Sequence, residues 1–139
     1  RSNKDVIFIL GDVFWFPHSG LMNRFFKKLN GNTIYIIPGN HDDFDSLKND
    51  DPKRIIILSD EVTLYTKQTE LYLSHCPMMT WPHREKGVLN LFGHIHSGPL
   101  SENEVDNDLP LWKNQYDVAC DNNNYTPIEL EEIYGKIVQ

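Results

Sequence analysis

The amino-acid sequence predicts an α/β domain. Three features carry that reading: short, continuous apolar runs of strand length, a stretch of helical periodicity between the first two, and a Gly-containing or polar cluster directly after several of the runs. Residues 5–10 form the first such run and end in Gly11-Asp12, the pattern of a strand buried on both faces. Leu21, Phe25 and Leu29 recur at helical spacing, and Asn30-Gly31 reads as a helix stop. Thr33 to Ile37 is a second buried strand, broken by Pro38-Gly39. A short helix is expected over residues 44–48 and a strand over 54–58. Residues 61–67 and 69–74 read as a β-hairpin turning at Lys67-Gln68-Thr69. Val88 to Phe92 is a further strand, residues 97–114 a polar loop, and Tyr116 to Ala119 a last short strand. Thr126-Pro127-Ile128-Glu129 combines an N-cap, a first-turn proline and a capping-box glutamate, which predicts a helix over 128–138. No repeat or domain-sized linker interrupts the chain, so residues 1–139 are expected to form one domain.

Composition narrows the function. The chain has 139 residues, 40% of them hydrophobic, and a formal net charge of −7. That length buries a single core, and the composition is neither collagen-like nor disordered. The acidic balance argues against a long nucleic acid as partner. No apolar run is long enough for a bilayer span, so no membrane partner is expected. Two cysteines, Cys76 and Cys120, are too few for a disulfide scaffold and suit a reducing, cytoplasmic compartment.

Four polar clusters follow apolar strands: Gly11-Asp12, Gly39-Asn40-His41-Asp42, Ser74-His75-Cys76-Pro77, and Gly93-His94-Ile95-His96. Ligand sites of open α/β sheets lie beyond the carboxyl ends of strands, so loops distant in sequence can converge there. Together the clusters offer carboxylate, amide oxygen and imidazole, a donor set better matched to Mn, Fe, Zn or Co than to Ca or Mg; no thiolate is needed. Taken singly, each has an ordinary reading. Gly-Asp and Gly-Asn are turn chemistry, His75 and Cys76 fit a core, and His94 and His96 would share one side of an extended strand facing solvent. Their joint occurrence in this order is what points to a site.

The clusters resemble the motifs of the calcineurin-like metallophosphoesterases: GD, GNH followed by an acid, a His shortly before a Pro, and GHxH. The likeness extends from Asp5 to about Ile133 and is closest to small bacterial and phage-type phosphoesterases, whose ending is similar to residues 117–130. It implies a four-layer α/β/β/α sandwich. It also implies two divalent transition-metal ions (Mn, Fe, Zn, Ni or Co, with Mn favoured) and hydrolysis of phosphomonoesters or phosphodiesters by a metal-bound hydroxide. Carried over by motif, Asp12 matches the bridging carboxylate, and Asn40, His75 and His94 match the other ligands of the second metal. His96 matches a first-metal ligand. His41 matches the histidine acting near the leaving group, with Asp42 in the acidic position after it; these two are the expected catalytic pair. A bridging carboxylate and two cations acidify a shared water and clamp phosphoryl oxygens, and a histidine can protonate a leaving alkoxide near neutral pH. The implied substrate is a small phosphorylated molecule or short nucleotide.

One motif of the family is missing. An Asp-x-His that supplies two first-metal ligands ends the family's first strand, and no Asp-x-His occurs in these 139 residues. Either that strand and its helix precede Arg1, or the chain is a remnant with one full metal site. A strand missing from mid-sheet would expose two edges, which favours the former expectation. The rival functions are a non-catalytic metal-binding scaffold of the same fold and a nuclease; the lack of a basic stripe counts against the latter for long substrates. Phe14-Trp15-Phe16 is expected to be core or loop packing, or else the lining of a substrate site. Arg84 is a candidate phosphate contact, and His18 and His83 are expected at the surface.

Overall fold

The computed structural model describes residues 5–15, 19–44, 51–96 and 111–137. Its architecture is mixed α/β, with two sheets and, among the described residues, two α-helices. The chain divides into two compact units, residues 1–60 and 61–139.

The first unit holds a parallel sheet of β1 (Val6–Leu10), β2 (Thr33–Ile37) and β3 (Ile55–Ile57), in that order, with α1 (Ser19–Lys28) as the β1–β2 crossover. The β2 strand is the most buried: Ile34, Ile36 and Ile37 are fully enclosed. Ile7 pairs with Ile34 and Ile9 with Ile36, so one face presents a continuous apolar surface. Met22 and Phe26 of α1, with Ile55, complete that core. On the opposite face Phe8 stacks on Tyr35, ring centroids 5.1 Å apart.

Three expectations are corrected here. The β1 strand is not buried on both faces: Val6 is 52% exposed, because among the described residues β1 has a strand neighbour only in β2. The buried stripe of α1 is Met22 and Phe26, with Leu29 partly covered, while Leu21 and Phe25 face outward. Gly31 also acts differently from a left-handed helix stop, since its φ is not positive. A Cβ there would lie 2.8 Å from the Ile7 side chain, so the residue permits a close approach to β1. The helix is closed instead by Arg54, whose guanidinium donates to the carbonyls of Phe26 (2.9 Å), Leu29 and Gly31 (3.0 Å). The expected helix at 44–48 lies outside the described residues except for Phe44, which is not helical.

The second unit holds a mixed sheet in the order β4 (Glu61–Tyr65), β5 (Glu70–Ser74), β6 (Leu89–Phe92), β7 (Gln115–Asp117). The β4–β5 pair is the expected antiparallel hairpin; β5, β6 and β7 run parallel. Its turn is closed by Thr66, whose hydroxyl donates to the Thr69 carbonyl (2.7 Å) and accepts from the Thr69 amide (3.0 Å). Tyr72, Trp81 and Val88 form a buried cluster, and the Trp81 indole N–H donates to the Val88 carbonyl (2.9 Å).

The last helix, α2 (Leu130–Ile137), packs against β7 and buries Ile133. It begins two residues later than expected, because the capping box does not form. The Thr126 hydroxyl instead donates to the Asn123 carbonyl (2.7 Å), and the Glu129 carbonyl accepts the first helical bonds, from Glu132 and Ile133. Of the expected 97–114 loop, only residues 111–114 are described, and they are not strand or helix. No described helix is long and apolar enough to cross a membrane.

Candidate metal and phosphate-ester site

In the first unit, parallel pairing of Leu10 with Ile37 makes the β1 and β2 strands end side by side, so the loops carrying Asp12 and Asn40 to Asp42 leave together. Gly11 and Asp12 both adopt left-handed backbone (φ 86° and 52°). Glycine does so without strain, but for Asp12 the conformation costs energy that its surroundings must repay. Three amides do so. The N–H groups of Asp12 (2.8 Å), Val13 (2.9 Å) and Gly39 (2.9 Å) all donate to the Asp42 carboxylate. The His41 amide in turn donates to Asp12 Oδ1 (3.0 Å). A Cβ on Gly39 would lie 2.3 Å from that same Asp12 Oδ1, so only glycine allows the loops to meet. Asp42 thus stitches the two loops through backbone. The His41 ring stacks on the Trp15 indole, centroids 3.9 Å apart and planes 29° apart.

In the second unit, His75 follows β5 and the Gly93–His96 segment follows the adjacent β6. The His75 carbonyl accepts the Gly93 amide (2.9 Å), tying the two strand ends. His75 Nε2 lies 3.1 Å from His94 Nδ1. Two nitrogens, each about 2.1 Å from one cation, would subtend an angle of about 95° at this separation, the geometry of adjacent ligands in an octahedral or five-coordinate site. The residues therefore fit a shared ion. The Cys76 sulfur belongs to the same group, its ligand atom within 4.8 Å of the two imidazole nitrogens. Cys76 is exposed, against its expected core packing, because the chain leaves the sheet after Ser74.

The extended-strand reading of His94 and His96 is also overturned. The β6 strand stops at Phe92, the Ile95 amide bonds to the Gly93 carbonyl (2.8 Å), and His94 and His96 take φ of 70° and 50°. Among the described residues, three of the six non-glycine residues with positive φ are therefore Asp12, His94 and His96; unusual backbone is concentrated at motif residues.

Two contributors escaped the sequence reading. Asp121, buried in the 3₁₀ turn Cys120–Asn123, is hydrogen-bonded to His96 Nδ1 (3.0 Å), which leaves Nε2 as the remaining ligand atom. Asn90, fully buried in β6, donates to the Tyr72 carbonyl (3.1 Å) and Ser74 Oγ (3.0 Å) while its carbonyl accepts from Met78 N (3.2 Å) and Gln115 Nε2 (2.8 Å). It thereby braces the segment flanking His75. A signal for Asn90 existed: it is the one polar residue inside the apolar run from Val88 to Phe92. For Asp121 the signal was its place in the 117–130 stretch that resembles the family's ending, but nothing there tied it to His96, 25 residues away.

Arg84 lies over the Trp112 ring (3.9 Å to the centroid) and donates to the Met79 carbonyl (3.3 Å). His83 is exposed, as expected, and meets Glu70 (3.1 Å); His18 and Phe16 lie outside the described residues. Phe14 packs edge-on against Phe25 and Phe26, as core, whereas Trp15 is 67% exposed.

Each unit places side chains of metal-donor chemistry after parallel strands of an α/β architecture: Asp12 and Asn40 in the first, His75 and His94 in the second. The chain belongs to the calcineurin-like phosphoesterase family, whose model matches residues 1–134. Among solved structures it is similar to a protein of unknown function, AQ665, from Aquifex aeolicus, with 21% identity and a TM-score of 0.66 over 95% of this chain and 76% of that one. That likeness is one of fold. No curated protein matches.

Proposed function

We propose that the protein hydrolyses phosphomonoesters or phosphodiesters of small molecules or short nucleotides at a two-metal site. The observation that carries the reading is the His75–His94 nitrogen pair at 3.1 Å, a spacing suited to one shared ion, in a chain of the calcineurin-like phosphoesterase family. Asp12, Asn40, His75 and His94 would hold one ion, and Asp12 with His96 the other; Mn, Fe, Zn, Ni and Co all suit this nitrogen and oxygen set. Such ions, when bound, acidify water and neutralise phosphoryl charge. The chain's own residues supply the rest. Asp42 holds the Asp12 and Gly39 backbones through their amides. Asp121 sets the His96 ring so that Nε2 faces its ligand role. The His41 imidazole delivers a proton to the departing alkoxide oxygen.

Hydrolysis of p-nitrophenyl phosphate and bis(p-nitrophenyl) phosphate by the Mn²⁺-supplemented chain tests the proposal. Turnover that a chelator stops, and that His94→Ala lowers at least about 100-fold, is the expected result. Tight metal binding without hydrolysis of either ester would replace the enzyme with a metal-binding scaffold.

A further inference from the structure

The Trp15 indole is the largest apolar group on the Asp12 loop, and the fold leaves it outside the core. The two residues before it are held: the Val13 amide is bonded to Asp42 (2.9 Å), and the Phe14 ring packs edge-on against Phe25 and Phe26. Trp15 itself is 67% exposed, and among the described residues its one ring contact is with His41, planes 29° apart and centroids 3.9 Å apart. An indole is wider than an imidazole, so flat apolar surface extends past His41 and remains open to a ligand. An exposed aromatic surface of this kind gains by being covered with another planar ring.

We infer that Trp15 is a platform for the leaving group, selecting phosphate esters whose alcohol portion carries a planar ring, such as an aryl group or a nucleobase. This rests on the phosphoesterase reading above, in which His41 lies beside the leaving oxygen. A ring attached to that oxygen would then meet the indole that flanks His41, and a saturated ring of equal size would gain no stacking. Phe14 contributes by anchoring the loop, not by touching the ligand.

The test compares phenylphosphonate with cyclohexylphosphonate, two non-hydrolysable acids of matched size, by calorimetric titration into the Mn²⁺-loaded full chain. Phenylphosphonate should bind about threefold to tenfold tighter, the scale of one aromatic stack, although the cyclohexyl group is the more hydrophobic. Trp15→Leu should bring the ratio of the two affinities to one or below, and Trp15→Phe should restore most of it. A ratio unchanged in Trp15→Leu overturns the platform and leaves the phosphoesterase reading standing. Failure of both phosphonates to bind the wild-type chain overturns the phosphoesterase reading and the platform with it.

Discussion

Gly39 has no room for a side chain, and this follows from contact rather than from backbone conformation. A methyl group there would sit 2.3 Å from Asp12 Oδ1 and 2.4 Å from the Asp12 backbone nitrogen. The carboxylate can rotate away, but the nitrogen cannot. Gly39→Ala should therefore spread the two strand-end loops, lower stability by about 1–3 kcal/mol and weaken metal binding together. Urea unfolding and calorimetry check the pair of effects; a variant with wild-type values in both would show that the loops adapt without cost. At this scale the sequence named candidates where a motif supplied them: Asp12, Asn40, His41, Asp42, His75, His94 and His96 come from their clusters, and the structure brings Asp12 to His41 and Asp42, and His75 to His94. The sequence did not show that Asp42 spends its oxygens on three backbone amides, because carboxylate and amide partners lie 29 and 30 residues apart for Val13 and Asp12.

At the scale of elements, α1 depends on a residue outside it. Arg54 supplies donors to three carbonyls at the helix C-terminus, where unpaired C=O groups and the helix dipole both favour a cation. Arg54→Met keeps the apolar stem but removes all the donors, and should cost about 2–3 kcal/mol in urea unfolding. Lys28→Met, in the same last turn, should change it by less than about 0.5 kcal/mol. The β4–β5 hairpin carries a pH dependence. The buried Tyr72 phenol is pushed up to about 12, first by burial and then by its hydrogen bond to, and the charge of, the Glu61 carboxylate. The unfolded chain loses this proton near pH 10, before the folded one does. The stabilisation is whole below pH 10 and is lost as pH rises toward 12. Tyr72→Phe should flatten the alkaline limb of the stability profile across that window, and an unchanged limb would place its cause elsewhere. Element existence was readable from apolar runs, as for Thr33 to Ile37. The face of α1 was not: Leu21 with Phe25 and Met22 with Phe26 have the same four-residue spacing, and only packing on Ile34 and Ile36 selects the second pair.

For the whole molecule, the ligand inventory of the 139 residues is uneven. Four protein ligands are proposed for one ion, and only Asp12 and His96 for the other. Calorimetric titration with Mn²⁺ should thus resolve one tight and one weak binding event. His75→Ala should remove the tight event, and two equal events in the wild-type chain would contradict this ligand assignment. Saturation at about a hundredfold excess over the tight Kd should raise unfolding free energy by about 2.7 kcal/mol, reversed by chelation.

The sequence by itself determined which chemistry is available and roughly where strands and helices lie, because apolar runs and short motifs are local signals. It placed Gly93 to His96 after a strand, but could not reveal that His94 and His96 leave it in left-handed conformations, since that backbone is uncommon for any non-glycine residue, histidine included. It named Thr126 as a helix cap, but the Asn123 carbonyl takes that hydroxyl. Only the tertiary structure joined His96 to Asp121, enclosed Asn90 among four polar partners, and laid Trp15 on His41. These pairings depend on which strands lie side by side, and strand neighbourhood is decided by burial of the sheet as a whole rather than by any residue's own preferences.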